Sequence, residues 1–296
     1  MSVIENKLLS KKRIGLGKIL LQTMIIPTLT FGSETWNKLT EKEKSEINDV
    51  QTDYLIKLLK VPITTPKCAL IGGLNLTKIE HIANTRKLQY YVDLINREEH
   101  KLEVKMQLMQ QNKDMSYERE INELKIKYNI NISLKGENPI KIKDYIRNEI
   151  KKINDKEIKE ELKKGKKTKM MDEYNKNYLE NLHFEEARAI FMMLTRMIDV
   201  KANFKNKYKN LECGTCKVEE NTHHLFKCER YHDLNRNIKG ETLEEVLNNN
   251  SEEKIAKFIK EIIERKSNET KGNETKKNQL NTAPLPKGLS LLDRRV

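Results

Sequence analysis

Residues 213–228 read Cys213-Gly-Thr-Cys216-Lys-Val-Glu-Glu-Asn-Thr-His223-His224-Leu-Phe-Lys-Cys228 and hold three of the chain's four cysteines. Two of these cysteines are separated by two residues, and the third follows a pair of histidines. Tetrahedral Zn²⁺ takes thiolate and imidazole ligands from short turns with this spacing. The stretch therefore predicts a small Cys3His zinc knuckle. Its structural Zn²⁺ would be held by Cys213, Cys216, Cys228 and one histidine.

The fourth ligand of this site has two candidates. His224 gives an H-x₃-C spacing to Cys228, and His223 gives H-x₄-C. Between the ligands, Leu225 and Phe226 are expected to pack as an apolar staple on a small core. The alternative is that the cysteines are free or buried thiols beside an ordinary polar turn.

Composition favours a mainly α fold. The chain has 296 residues with 11 glycines and 6 prolines, few for this length, which indicates long helices with few tight turns. Two domains are favoured over one, because a single hydrophobic core stops growing near this size. We therefore expect an extended helical assembly of two modules, with the knuckle in the C-terminal one.

The charge predicts a polyanionic partner. A net charge of +13 and a pI near 9.3 favour nucleic acid first and an anionic membrane second. The alternative is a Lys- and Asn-rich background composition. The apolar run 14–31 is interrupted by Lys18, Gln22 and Pro27 and lacks the flanks of a signal peptide. We expect an intracellular protein, nuclear or cytoplasmic, that is neither secreted nor bound to a membrane.

Apolar periodicity and capping signals predict the helix boundaries. A helix over 13–26 is expected to end at Pro27. Segment 131–139 reads as a connector and a domain boundary. The capping-box pattern S/T-x-x-E marks three further helix starts: Thr40 with Glu43, Thr77 with Glu80, and Thr242 with Glu245.

Four segments resemble one protein family. Ile26-Pro-Thr-Leu-Thr-Phe-Gly-Ser-Glu-Thr-Trp36 resembles the P-x-L-x-Y-G-x-E-x-W segment that follows the palm in reverse transcriptases of non-LTR (LINE-type) retrotransposons. The segments LLKVP at 58–62 and TTPKCALIGGLNLTKIEHIANTRKLQYY at 64–91 follow in the family's order, although Gly72-Gly73-Leu-Asn replaces the usual Glu-Leu-Gly. Residues 196–231 resemble the C-terminal zinc knuckle of these proteins. That alignment makes His224 the fourth ligand, although the family's usual gap, often one residue longer, leaves His223 open.

We expect four regions. The resemblance implies a post-palm, thumb-like helical region (1–100) and a helical zinc-knuckle module (183–265), with a charged helical linker (101–182) between them. The composition of residues 266–296 predicts a disordered tail.

A segment of alternating basic and aromatic residues precedes the knuckle. Lysines there could hold phosphates while aromatic rings stack on unpaired bases. Alternatively, Phe204 and Tyr208, four residues apart, form one packed helix face. The predicted nucleic-acid-binding residues are Lys201, Phe204, Lys205, Lys207, Tyr208, Lys209, Arg230 and Arg236.

Signals for catalysis are missing. A polymerase needs paired aspartates to hold two metal ions, and this chain has no Asp-Asp pair. His81, His100, His183 and His232 are scattered singly, as surface or packing histidines are. We expect no catalytic residue.

The function predicted from the sequence is nucleic-acid binding. The chain is interpreted as a truncated reverse-transcriptase fragment that binds RNA in preference to DNA and acts beside the catalytic part of such an enzyme. One alternative is a helical protein-interaction scaffold or an inert transposon relic. Another is the tail of an RNA-directed DNA polymerase whose active site lies outside this chain.

Overall fold

A computed structural model describes most of the chain. The described residues are 3–36, 38–96, 117–135, 138–174 and 177–281, with side chains between Lys12 and Asn268. Its regular elements are helices, which confirms the predicted mainly α fold. The chain divides into two compact units, Met1–Met197 and Ile198–Val296. The predicted boundaries after residues 100 and 182 both fall inside the first unit.

The first unit is built from helices that bury one apolar face. The apolar face of its last helix is buried, since Phe184, Ile190 and Phe191 are each at most 2% exposed. The bounds are α1 Val3–Leu20, a π turn Leu21–Ile25, α2 Ile26–Leu29, α3 Glu41–Leu59, α4 Lys67–Gly73, α5 Ile79–Ile95, α6 Tyr117–Lys127, α7 Pro139–Lys164, α8 Lys169–Glu173, α9 Tyr178–Asn181 and α10 Phe184–Leu194.

Pro27 does not end the first helix, so that prediction is wrong. Helix α1 runs into the π turn, where the Ile26 N–H donates to the Leu21 carbonyl, and α2 then includes Pro27. A proline ring normally clashes with the carbonyl four residues before it, and it lacks an N–H. The π turn widens the helix just before Pro27, so the chain continues helically to Leu29.

The predicted helix caps have different outcomes. The capping box of α3 is confirmed, because Thr40 Oγ1 accepts from the Glu43 N–H and the Glu43 carboxylate accepts from the Thr40 N–H at 2.8 Å. The prediction that Thr77 caps the next helix is wrong. Helix α5 begins at Ile79, and Asn48 Oδ1 on α3 accepts from the Ile79 N–H at 3.0 Å. A tertiary contact therefore replaces the local cap.

The described part of the predicted linker belongs to the core of the first unit. Segment 131–139, predicted as a domain boundary, contributes Leu134, which is 4% exposed. Residues 101–116 lie outside the described residues. One apolar cluster joins α5, α6, α7 and the segments between them: Leu88, Val92, Ile121, Tyr128, Ile130, Leu134, Ile146 and Ile150.

A buried histidine connects α5 to α7. His81 is 0% exposed; its Nδ1 lies 2.8 Å from the Tyr128 hydroxyl and its Nε2 lies 2.9 Å from the Glu157 carboxylate. The hydrogen bond with His81 is the largest reason that the pKa of Glu157 is lowered to about 2, against the opposing effect of burial. The nearby ammonium of Lys78 lowers it further.

Acid is expected to destabilise the first unit through Glu157. Its pKa falls from 4.5 to about 2 on folding, so its contribution is complete above about pH 4.5 and is lost as the pH falls toward 2. In urea unfolding followed by Trp36 fluorescence, Glu157→Gln should lose less stability between pH 5 and pH 3 than the parent protein. Equal losses in both proteins would contradict this role.

The second unit has short helical segments and one long helix. Thr242 caps α12 as predicted, since its Oγ1 accepts from the Glu245 N–H at 3.2 Å. The bounds are 3₁₀ turns Lys201–Phe204, His224–Phe226 and Glu229–Tyr231, then α11 His232–Asn235, α12 Leu243–Asn249 and α13 Glu252–Asn281.

Helix α13 enters the segment predicted to be disordered. Its backbone is helical to Asn281, whereas the sequence predicts disorder from residue 266. Residues 282–296 of the predicted tail lie outside the described residues. Among the helices described in either unit, none has the length and apolar content needed to cross a membrane.

Candidate metal centre

The first two cysteines lie in a tight hairpin-like turn. Glu212 and Glu219 form an isolated antiparallel bridge, and the Cys213 N–H donates to the Val218 carbonyl at 2.7 Å. Lys217 closes the turn in the left-handed region, with φ of 58°. The turn brings Cys213 and Cys216 to the same side of the hairpin.

His224 begins one 3₁₀ turn, and Cys228 directly precedes the next. Asn221 Oδ1 accepts from the His224 N–H at 2.9 Å and so caps the first turn. Leu225 and Phe226 are buried, and the Phe226 ring stacks on Phe258 of α13 with centroids 5.6 Å apart. This packing confirms the predicted apolar staple, which fixes His224 and Cys228 against the core of the second unit.

Four side chains converge at this place. The sulfur atoms of Cys213, Cys216 and Cys228 and a ring nitrogen of His224 lie within 4.8 Å of one another. The Cys228 sulfur lies 3.8 Å from that of Cys213 and 3.6 Å from that of Cys216. Zn–S bonds of about 2.3 Å in a tetrahedron place sulfur atoms about 3.8 Å apart. The cluster therefore has the spacing of a metal site.

The remaining donor atom also fits a metal ion. His224 Nε2 is buried and has no hydrogen-bond partner. A buried polar atom without a partner costs about 1–3 kcal/mol, so such atoms are rare in folded proteins. A metal bond to this nitrogen would remove that cost.

The thiols of Cys213 and Cys228 differ in acidity. Burial raises the pKa of Cys213, but hydrogen bonds with the backbone N–H of Cys216, the His224 side chain and the backbone N–H of Thr215 outweigh it, and the pKa is lowered. Burial raises the pKa of Cys228, and the neighbouring Cys216 and Cys213 sulfurs raise it further. A negative charge on one sulfur therefore disfavours a negative charge on the neighbouring sulfur. A divalent cation bound here would supply the compensating charge, and its binding would release thiol protons.

The two histidines have separate environments. His223 is exposed, and its Nδ1 accepts a hydrogen bond from the Leu243 N–H at 3.2 Å. This contact is with the start of α12 and not with the thiols. His224 is therefore the member of the pair that joins the cysteines.

Exchange of each histidine for alanine tests this assignment. His224→Ala removes a ligand and should weaken metal affinity by more than about 100-fold, since even changes outside the ligand set cost about 10–100-fold. His223→Ala should keep the metal and lose about 1 kcal/mol through the hydrogen bond to Leu243. Competition with a zinc chelator measures both affinities. Loss of the metal in His223→Ala alone would reverse the assignment.

The described residues hold a second group with metal-ligating atoms. Glu80, His81 and Glu157 lie within 4.8 Å of one another in the first unit. The ammonium of Lys78 lies 3.4 Å from the Glu157 carboxylate, where it would repel a cation. This group is better explained as the buried network that connects α5 to α7.

Besides Lys207, which is exposed but pairs with Asp199, three predicted nucleic-acid-binding residues are exposed in the second unit. Lys205, Lys209 and Arg236 lie at the surface. Lys217, which the sequence reasoning missed, is also exposed, on the turn that carries Cys213 and Cys216. Its position directly after Cys216 is the signal that could have identified it. An anion in solution can therefore contact four cations, Lys205, Lys209, Lys217 and Arg236.

The other predicted residues have contacts within the protein. Lys207 Nζ and the Tyr208 hydroxyl lie 2.8 and 2.9 Å from the Asp199 carboxylate. The Lys201 ammonium donates a hydrogen bond to the Glu212 carbonyl.

The two remaining predicted residues are half-buried. The Arg230 guanidinium lies 5.8 Å from the centre of the Tyr231 ring, and Phe204 is partly covered. Phe204 belongs to a 3₁₀ turn that ends before Tyr208, so the two aromatics do not share one regular helix.

One contact that supports the knuckle was not predicted from the sequence. Lys266 on α13 contacts the Glu220 carboxylate, which is buried beside the knuckle. The sequence separation between them gives no local signal.

Comparisons with known proteins identify no relative. No family model matches the chain, and no curated protein and no solved structure matches it. The geometry described above is therefore the basis for a functional assignment.

Proposed function

We propose that the second unit is a structural zinc module that presents a basic surface to single-stranded nucleic acid. The convergence of three cysteine sulfurs with a ring nitrogen of His224 carries the proposal. Thiolates with one imidazole favour Zn²⁺ over the hard cations Mg²⁺ and Ca²⁺, which prefer oxygen ligands. Four protein ligands leave no open position, so the ion is structural.

The nucleic-acid surface consists of the exposed cations around the knuckle. Lys205, Lys209, Lys217 and Arg236 would hold phosphates, and the half-buried Phe204 offers a ring for stacking. The resemblance to non-LTR reverse transcriptases supports RNA in preference to DNA as the ligand. It also supports the catalytic part of such an enzyme as a partner, because this chain would position nucleic acid for an active site elsewhere.

Metal analysis of the purified full chain tests the zinc assignment. Elemental analysis should give one zinc per chain, and titration should show the thiols of Cys213, Cys216 and Cys228 protected while Cys68 reacts. Cys68 is half-buried and lies outside the cluster. A chain without zinc and with four reactive thiols would refute the assignment.

Salt dependence tests the electrostatic part of the proposal. If the four cations neutralise about four phosphates, the log–log slope of single-stranded RNA affinity against salt should be about −3. Lys205→Gln with Lys209→Gln removes two contacts and should reduce the slope by about 1.4. Fluorescence anisotropy at several salt concentrations measures both slopes.

The matched control is Lys254→Gln with Lys257→Gln, which removes the same charge from exposed positions of α13. Its slope should equal that of the parent protein. A flat salt dependence, or equal effects of the two double variants, would refute phosphate binding at the knuckle.

A protein-interaction scaffold is the second candidate function. Asp199 holds both Lys207 and Tyr208, which occupies part of the predicted RNA surface with internal contacts. A scaffold would keep its protein partner after Lys205→Gln and Lys209→Gln, whereas an RNA-binding module would lose RNA. Pull-down of RNA and protein with the same variant separates the two functions.

A further inference from the structure

The first unit contains an open cavity that none of the assignments above uses. Its volume is about 450 Å³, within the range of about 300–1,000 Å³ for small-molecule sites. It lies between the π turn with α2, the loop before α5, α5 itself and α7.

The charged side chains that line this cavity are all positive. Arg86 from α5 and Arg147 and Lys151 from α7 line it, and the described lining contains no aspartate or glutamate. Arg147 and Lys151 are four residues apart on one helix face, where like charges repel. Arg147 has one exposed partner, Asp144 at 2.8 Å, and such surface pairs contribute little. An anion bound here would relieve the repulsion.

Arg86 is held in position for such an anion. Its Nη1 donates to the Thr30 carbonyl at 3.0 Å, and Thr30 is buried. That bond uses one of the five guanidinium N–H donors. The remaining donors match phosphate oxygens in a planar fork.

The rest of the cavity is suited to a planar base. Buried Ile26, Leu76 and Ile150 contribute apolar surface to the lining. Gln22 and Gln89 also line the cavity, and each amide carries a donor and an acceptor for the edge of a base. The Gln89 amide nitrogen donates to the Lys143 carbonyl, which leaves its oxygen available as an acceptor.

We propose that this cavity is a nucleotide-binding site, with Arg86, Arg147 and Lys151 on the phosphate and the apolar surface against the base. The nucleotide is either free or one unit of a single strand. The site lies wholly in the first unit, so it does not depend on the zinc module.

Binding of a nucleoside monophosphate to the full chain tests the proposal. Isothermal titration should show binding at least about tenfold tighter than that of inorganic phosphate or of the uncharged nucleoside. Arg147→Gln with Lys151→Gln should weaken this binding at least about tenfold, because hydrogen bonds to charged groups are strong. A tetranucleotide that competes at lower concentration than the monophosphate would identify a strand as the source, and the reverse would identify a free nucleotide.

Two control variants make the test specific. Lys152→Gln with Lys156→Gln removes the same charge from α7 outside the cavity lining and should change affinity less than about twofold. Lys254→Gln with Lys257→Gln, at exposed positions of α13, should leave affinity unchanged. Equal weakening by the cavity variant and the α7 control, equal affinity for phosphate and nucleotide, or absence of nucleotide binding would each overturn the proposal.

Discussion

Cys228→Ala is expected to abolish stoichiometric zinc and to unfold the second unit. Cys228 is 1% exposed, and its sulfur contacts the other two cysteine sulfurs of the cluster. A structural zinc contributes about 10–16 kcal/mol in small zinc modules, which equals or exceeds the total stability of about 5–15 kcal/mol of a typical domain. Cys213–Phe226 consists of turns, and besides the cluster it is held by the Glu212–Glu219 bridge, the Phe226–Phe258 stack and the Lys266–Glu220 contact.

Hydrogen exchange and fluorescence can separate the two units in this experiment. Amides of residues 198–268 should lose protection in Cys228→Ala, and the same loss should follow removal of zinc from the parent protein by a chelator. Trp36 is the only tryptophan and lies in the first unit, so its fluorescence reports that unit alone. The unfolding midpoint of the first unit should be the same in Cys228→Ala as in the parent protein.

Cys68→Ala is the matched control. It makes the same chemical change at a half-buried cysteine of the first unit that lies outside the cluster. This variant should retain one zinc per chain and full protection of residues 198–268. A Cys228→Ala protein with parental protection and one bound zinc would show that the cluster is not the metal site.

The metal centre was predictable because its signals are local. The spacing between Cys213 and Cys216 forces both into one turn, and the ligands that follow lie within a few residues of each other. The caps at Thr40 and Thr242 were predictable for the same reason. Spacing alone left His223 and His224 open, and the resemblance favoured His224; the contact that holds His223 away, with the Leu243 N–H, comes from a distant helix.

Features that depend on distant contacts could not be predicted. Asn48 caps α5 from another helix, and this overrides the local Thr77 signal. Residues 117–150 have the charge of a linker, yet Ile121 and Ile146 lie in a core with α5. The contacts of His81 with Tyr128 and Glu157 join residues far apart in sequence and appear only after folding. Sequence spacing carries no information about such pairs.

Lys266→Met is expected to cost the second unit about 3–5 kcal/mol. Lys266 contacts the Glu220 carboxylate, and the side chains are only 14% and 6% exposed. The Lys266 ammonium also donates to the Asp199 carbonyl at 2.8 Å. Methionine replaces the aliphatic part of the side chain but leaves the buried carboxylate without its counter-charge. Removal of one partner of a buried ion pair has a cost of this size.

A double variant distinguishes the buried charge from lost packing. Glu220→Gln combined with Lys266→Met removes both charges, and because a buried pair can often be replaced by neutral groups, it should recover most of the stability. Urea unfolding followed by hydrogen exchange of residues 198–268 measures the free energy of each protein. If the double variant is no more stable than Lys266→Met, packing by the lysine stem is what holds α13 against the knuckle. If both variants match the parent protein, Glu220 reaches water once its partner is gone.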